Sequence, residues 1–334
     1  LGKWLHLDPQ HWTIQHFAKV CPNIPLDKDG MITRKGQQIQ KELLSNASVI
    51  FCTLNSVGSN MMVNTLASKK FQTLMLDEGG QCTEAEFFLA TTCPGIQRIV
   101  VMGDPKQLPP TVINPACARA GFGMSFLGQV LKVSPSSVHL LDTQYRMHPA
   151  ILSFPNERFY DNRISSGDNV HKRIPVVDAP FKFVDARGQG NEEKHQFSWR
   201  NRYEARAIAE LLHHDHDIRR LLRTNEETTI IIISPYKSQV KLLESHVKLP
   251  TGTTGRLMIS TVDAFQGQEG DIVIVSTVRT KQIGFVDDAQ RLNVALTRAK
   301  RVLRVVGDQK FFATLGGQST LRALIQVSSG NMNH

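Results

Sequence analysis

Two short apolar runs in this chain stop abruptly at acid. Leu74-Met75-Leu76 runs into Asp77-Glu78, and Ile99-Val100-Val101-Met102 runs into Gly103-Asp104. Apolar runs of this length, bounded by turn residues, read as buried strands of a parallel sheet. Ligands of such sheets bind just beyond the carboxyl ends of the strands, so Asp77 and Glu78 would project into a site crevice instead of the core. Acids also simply start helices, so the pair alone leaves both readings open. The loop that follows the second run, Gly103–Val112 (GDPKQLPPTV), is stiffened by paired prolines and offers a donor and an acceptor at Gln107. A polar side chain there could report whether a terminal phosphate is present; a rigid connection is the plainer reading. Upstream, Thr53, Ser56 and Ser59 could donate hydrogen bonds to a nucleic-acid backbone, or could be ordinary turn residues.

The elements that must position these residues alternate along the chain. A polar helix is expected over Arg34–Leu44, a strand over Ser48–Thr53 and a loop over Leu54–Asn60. Residues 113–137, broken by Asn114-Pro115, three glycines and Ser134-Pro135-Ser136-Ser137, read as a hinge. A second unit opens at His139–Arg146, with Arg146 the residue to watch. Strands are expected at Phe181–Asp185, Ile230–Ile233, Leu257–Thr261, Ile272–Val278 and Val302–Val306, and a turn at Gly188–Asn191. One helix starts near Asn201, capped with the help of Glu204 three residues on, and buries Ala205, Ile208, Ala209 and Leu212 on one face. Another covers Arg291–Lys300. Such alternation predicts α/β architecture, with parallel sheets covered by helices on both faces. The run His213-His214-Asp215-His216-Asp217 suggests a metal site, but its place on a helix tail favours a solvated end.

Bulk properties set the frame. A chain of 334 residues suggests two domains. Lys and Arg exceed Asp and Glu to give a net charge of +9, which suits a polyanionic partner, although a merely basic protein would look the same. Cys21, Cys52, Cys82, Cys93 and Cys117 are odd in number and contain no CxxC pair, which argues against a disulfide framework or zinc ribbon. No apolar run approaches the length of a membrane span. The first residue is Leu, so a start partway through a longer protein is expected.

Five segments then fall into a recognisable order. Asp77-Glu78-Gly79-Gly80-Gln81, GDPKQLPPTV (103–112), QYRMHP (144–149), TVDAFQGQE (261–269) and NVALTRAK (293–300) resemble the ordered motifs of superfamily-one helicases, most closely the UPF-type and senataxin branch. The resemblance implies two RecA-like domains, the first incomplete here, with ATP and Mg2+ between them and single-stranded RNA or DNA across both. Carried over by position, Asp77 would hold magnesium through the nucleotide and Glu78 would orient or deprotonate the attacking water. Gln107 would sense the γ-phosphate, and Arg146 and Arg298 would act as arginine fingers. Tyr145, Gln266, Gly267 and Glu269 would line the nucleotide, while Thr53, Ser56 and Thr261 would serve the strand. The basic segment 291–310 would add phosphate contacts through some of its Arg and Lys side chains.

The expected organisation is a lead-in over 1–33, the remainder of a first domain over 34–113, a hinge over 114–137 and a second domain over 138–334. The family's glycine-rich phosphate loop is missing: Gly2-Lys3 is followed by Trp4 where Ser or Thr would hold magnesium. Gly79-Gly80 also replaces the family's usual small pair. The resemblance therefore implies an ATP-dependent helicase core, cytoplasmic or nuclear, whose activity in this chain alone is impaired. A silent nucleic-acid-binding scaffold and a nucleotide switch are the alternatives.

Overall fold

A computed structural model of the chain describes residues 34–67, 71–168, 170, 177–186, 192–224 and 227–330. The lead-in over 1–33 and the turn at 188–191 lie outside them. The chain divides into two compact units, Leu1–Gly103 with Pro110–Leu127, and Asp104–Pro109 with Gly128–His334.

In the first unit the expected polar helix forms as α1 (Arg34–Asn46). Ser48–Thr53 does not become a strand: no ladder partner takes it up among the described residues, and Phe51 is 95% exposed. Two short helices follow, α2 (Leu54–Val57) and α3 (Asn60–Leu66). The acid-tipped runs form β1 (Thr73–Leu76) and β2 (Arg98–Val101), parallel and in register from Thr73↔Arg98 to Leu76↔Val101. They are less buried than their apolar character suggests. Met75, Ile99 and Val100 are exposed, because among the described residues this sheet has two strands. Between them lies α4 (Glu84–Thr91), started by a reciprocal cap: Glu86 N–H donates to Thr83 Oγ1 at 3.2 Å and Thr83 N–H to Glu86 Oε2 at 2.8 Å. Leu76, Cys82 and Phe87 make a small core, with Phe126 stacked on Phe87 at 3.6 Å between ring centroids.

The second unit is built on an all-parallel sheet of five strands. These are β5 (Phe181–Asp185), β8 (Thr229–Ile233), β9 (Arg256–Ser260), β10 (Gly270–Ser276) and β11 (Ala299–Gly307), in the order β5-β11-β10-β8-β9. The alternation of side chains along each strand sends successive residues to opposite faces. Ile231, Ile233, Val273, Val275, Leu303 and Val305 enter one core, and Ile230, Ile232, Ile272, Ile274, Val302 and Val306 the other. Helices α5 (Pro149–Tyr160), α9 (Ala289–Leu296), α10 (Gln309–Ala313) and α11 (Thr320–Gly330) cover the first face. Helices α6 (Arg202–His214), α7 (His216–Leu222) and α8 (Lys237–His246) cover the second. Two further short pairs complete it: β3 (Thr143–Gln144) with β4 (Ser165–Ser166), parallel, and the hairpin β6 (Glu193–His195) with β7 (Ser198–Arg200).

Three expectations need correcting. The helix read as Arg291–Lys300 ends at Leu296, where Thr297 caps it, so Arg298 sits in the turn and Lys300 on β11. Asn201 does cap α6, accepting from Tyr203 and Glu204 N–H, but Glu204 does not return the bond. Its buried carboxylate instead accepts from Ser276 Oγ at 2.7 Å and Val278 N–H at 2.8 Å, while Asn201 N–H goes to Gln239 Oε1 at 2.7 Å. Nor is the histidine-rich helix tail a solvated end throughout. Asp217 is buried and Asp215 half-buried, and they grip Arg304, which is 0% exposed on β11, at 2.9 and 2.8 Å.

Candidate functional site

Asp77 and Glu78 lie immediately beyond the carboxyl end of β1, and both are exposed. Asp77 Oδ1 accepts Glu78 N–H at 2.9 Å, and Gln81 N–H closes a turn on Glu78 carbonyl oxygen at 2.9 Å. Glu78 itself is left-handed, at φ 55°, a conformation that costs a non-glycine residue about 1 kcal/mol or more. Of the two glycines that depart from the family's pattern, Gly79 has a packing reason. Gly79 N–H donates to Met102 carbonyl oxygen at 2.7 Å, and a Cβ on Gly79 would overlap the side chain of Val101. The acid-bearing turn is thus pressed against the end of β2 with no room for a side chain.

Thr53 and Ser56 take the plainer of their two readings in local structure. Thr53 caps α2, its Oγ1 lying 3.3 Å from Ser56 N and 2.9 Å from Ser56 Oγ, and Ser59 caps α3 in the same way. All three remain exposed.

In the second unit Gln107, Arg146, Glu269 and Arg298 converge on the amino-terminal edge of the sheet. Arg298 directly precedes β11, and Glu269 directly precedes β10; Gly270 N–H bonds Arg298 carbonyl oxygen at 3.0 Å. Arg298 is 2% exposed. Its guanidinium donates to Val294 carbonyl oxygen at 3.0 Å, to Gln268 carbonyl oxygen at 3.3 Å and to Gln107 Oε1 at 3.2 Å. Arg146 reaches the same edge, donating to Glu269 Oε2 at 2.6 Å and to Thr297 carbonyl oxygen at 3.1 Å. Lys300 Nζ takes the other oxygen of Glu269 at 2.9 Å. Burial alone would raise the Glu269 carboxyl, but the bonds and charges of Lys300 and Arg146 outweigh it and hold the group below its usual range. Gln144 organises the turn that presents Arg146: its Oε1 accepts from the N–H groups of Arg146 and Met147 at 2.8 and 2.7 Å. Tyr145 is exposed, its ring lying over Gly167 so closely that a Cβ there would collide with it.

Gln107 belongs to a half-buried chain of contacts that the sequence does not advertise. The loop Asp104–Pro109 packs within the second unit. Gln107 Nε2 donates to Asp104 Oδ2 at 3.0 Å, and Tyr160 OH donates to the same oxygen at 2.5 Å. Asn293 Nδ2 donates both to Tyr160 OH at 2.7 Å and to Lys106 carbonyl oxygen at 3.0 Å, and Gln290 Nε2 to Pro105 carbonyl oxygen at 3.0 Å. Burial, with the Asp104 charge added, pushes the Tyr160 phenol far above its ordinary value, so it stays a donor. Tyr160, Asn293 and Gln290 were missed by sequence reasoning. The only available signal was that Gln290 and Asn293 are one turn apart, a spacing that puts them on one face of α9.

Thr261 lies just after β9, at the carboxyl edge, whereas Glu269 lies at the amino edge. Because β9 and β10 both run parallel to β8, the connection between them must return across the sheet. The segment 261–269 does so, with Gln266 and Gly267 on the way and Gly267 turning at φ 74°. The basic segment is largely paired within the chain. Arg291 pairs with Asp288, Lys300 with Glu269, Arg301 with Asp271 and Arg304 with Asp215, so most of its cations serve the fold.

Two family models, each described as an AAA domain, match the chain, over residues 27–115 and 122–310. Helicase SEN1 of Saccharomyces cerevisiae is 33% identical over 90% of the chain, and ATP-dependent helicase upf1 of Schizosaccharomyces pombe is 33% identical over 82%. The chain spans 14% and 30% of the lengths of these two relatives. Among solved structures, an arterivirus nonstructural protein 10 helicase in complex with DNA overlaps 75% of the chain and 41% of its own, at 16% identity and a TM-score of 0.37.

Proposed function

The chain belongs to the superfamily-one helicases of the UPF-type and senataxin branch, and from that premise we propose that it is the core of an ATP-driven motor on single-stranded RNA or DNA. The observation that supports this most is the contact between Arg298 and Gln107, 3.2 Å apart at the amino edge of the second sheet. The residue placed by family position as phosphate sensor and the one placed as arginine finger share one hydrogen bond. A γ-phosphate oxygen would compete for the same donors.

Phosphoryl transfer needs little covalent help from protein, so its catalysts position groups and neutralise charge. In this reading Asp77 holds Mg2+ through the nucleotide, consistent with an exposed carboxylate and the preference of that ion for oxygen. The ion would neutralise phosphate charge. Glu78 orients or deprotonates the attacking water, and its strained backbone fits a position fixed for function. Gln107 senses the terminal phosphate, and Arg298 and Arg146 stabilise the charge that develops on it. Tyr145, Gln266, Gly267 and Glu269 line the nucleotide. Thr53 and Ser56 from the first lobe and Thr261 from the second contact the strand, with 261–269 carrying the nucleotide state from one sheet edge to the other. A cytoplasmic or nuclear location belongs to the same proposal.

A second reading has one observation behind it. No glycine-rich phosphate loop occurs in the sequence, which favours strand binding without turnover by this chain alone. ATP hydrolysis by this chain and by the full-length protein that carries it, each with and without single-stranded RNA and DNA, separates these readings. The motor predicts strand-stimulated hydrolysis by the full-length protein. Hydrolysis that ignores the strand would point to a nucleotide switch, and none at all to a silent scaffold.

A further inference from the structure

The hairpin β6–β7 carries a feature that none of the motifs explains. Its turn is Gln196-Phe197, with Gln196 left-handed at φ 55°, and Phe197 is as exposed as an isolated residue, at 106%. A hairpin this small is marginal by itself. This one is anchored on both sides. Ser238 N–H donates to Ser198 Oγ at 3.2 Å and Ser238 Oγ to His195 carbonyl oxygen at 3.2 Å, tying it to the start of α8. On the other side Glu192, just before β6, accepts from the N–H of Thr280 and of Lys281 and pairs with buried Arg279 at 3.1 Å. Arg279 in turn lies 4.1 Å over the ring of Trp199. Ser238 and Thr280 follow the carboxyl ends of β8 and β10, the edge of an open parallel sheet where ligands bind. It is the edge on which Thr261 stands, opposite Arg298 and Glu269.

The surroundings of Phe197 point to one class of occupant. Lys194, Arg200 and Arg202 stand against one acid on the hairpin surface, Glu193, which both arginines hold. Lys237, at the start of α8, and Lys281, on the loop after β10, are exposed. A fully exposed aromatic among polar and cationic groups is the pattern of a stacking platform for a base with its phosphate neutralised nearby. Protein hot spots sit instead within a wider apolar patch, and the neighbours of Phe197 in the turn are Gln196 and Ser198. We propose that the tip of the β6–β7 hairpin is a nucleic-acid subsite in which the Phe197 ring stacks on an unpaired base of the bound strand. This subsite rests on the strand-binding reading above and adds to it a specific contact.

The test is equilibrium binding of fluorescently labelled 20-nucleotide oligo(U) and oligo(dT), without nucleotide, to the full-length protein and to Phe197→Ala, Phe197→Leu and Phe197→Trp. Substitutions at so exposed a tip leave the fold intact. Stacking predicts about tenfold weaker binding for Phe197→Ala and Phe197→Leu, and wild-type binding for Phe197→Trp. An abasic strand of equal length should bind wild type and Phe197→Ala alike. Unchanged binding in all three variants would overturn the subsite while leaving strand binding standing. Wild-type affinity in Phe197→Leu would overturn stacking. A wild type that binds neither strand would overturn the strand-binding reading and the subsite with it.

Discussion

Tyr160 shows what a single buried hydroxyl can hold. It lies between Asp104 Oδ2 and Asn293 Nδ2, and through them it fixes the loop that carries Gln107. Tyr160→Phe keeps the ring and removes the donor, leaving the Asp104 carboxylate and the Asn293 amide short of a partner. Leaving buried groups unsatisfied costs about 1–3 kcal/mol, so the urea midpoint should fall accordingly, and strand-stimulated hydrolysis by the full-length protein should fall with it. At this scale the sequence was legible where a motif names the residue. Arg298 and Arg146 do reach a shared edge of the second unit. Tyr160 was not legible, because its partners lie 56 and 133 residues away and no local spacing signals them.

At the scale of elements, β8 and β10 were readable because Thr229–Ile233 and Ile272–Val275 are five and four β-branched residues in a row, a run that suits a doubly covered strand. Helix ends were not. Arg291–Lys300 reads as one helix, yet Thr297 bonds back to Asn293 carbonyl oxygen and the chain turns into β11. Glu204 likewise has the spacing of a capping partner, but burial and the three-residue segment Ser276–Val278 claim its carboxylate. Burial raises this group from an ordinary 4.5 to about 7, its hydrogen bonds only partly opposing the shift. A carboxyl whose folded value is raised contributes stability that is present at low pH and lost as pH rises through the folded value. Between about pH 5 and 8 wild-type stability should therefore drop by up to about 3 kcal/mol relative to Glu204→Gln, measured as unfolding free energy at each pH. The pair of acids around Arg304 makes a separate case. The buried Asp217 carboxylate accepts from Asp178 and Ala179 N–H as well as from the buried Arg304. Asp217→Ala leaves a buried guanidinium short of charge and should cost about 3–5 kcal/mol in chemical denaturation.

For the whole molecule, a net charge of +9 is a property of the sequence, but where it acts is a property of the fold. Segment 291–310, the densest basic run, spends Arg291, Lys300, Arg301 and Arg304 on internal acids. The pairing could not be read from the run itself, since Asp271, Asp215 and Glu269 come from other elements. The cations left for a strand are more dispersed, and binding of oligo(U) should weaken steeply with salt, the logarithm of affinity falling with a slope of about −0.7 per phosphate neutralised. A salt-insensitive affinity would exclude phosphate contacts as its source. The central claim is that the second unit lends an arginine to a phosphoryl transfer. Its most direct test is steady-state ATP hydrolysis by the full-length protein and its Arg298→Ala variant, at saturating single-stranded RNA or DNA. A loss of about a thousandfold or more is expected in the variant, with strand binding held within about twofold. Turnover by Arg298→Ala at the wild-type rate would contradict it.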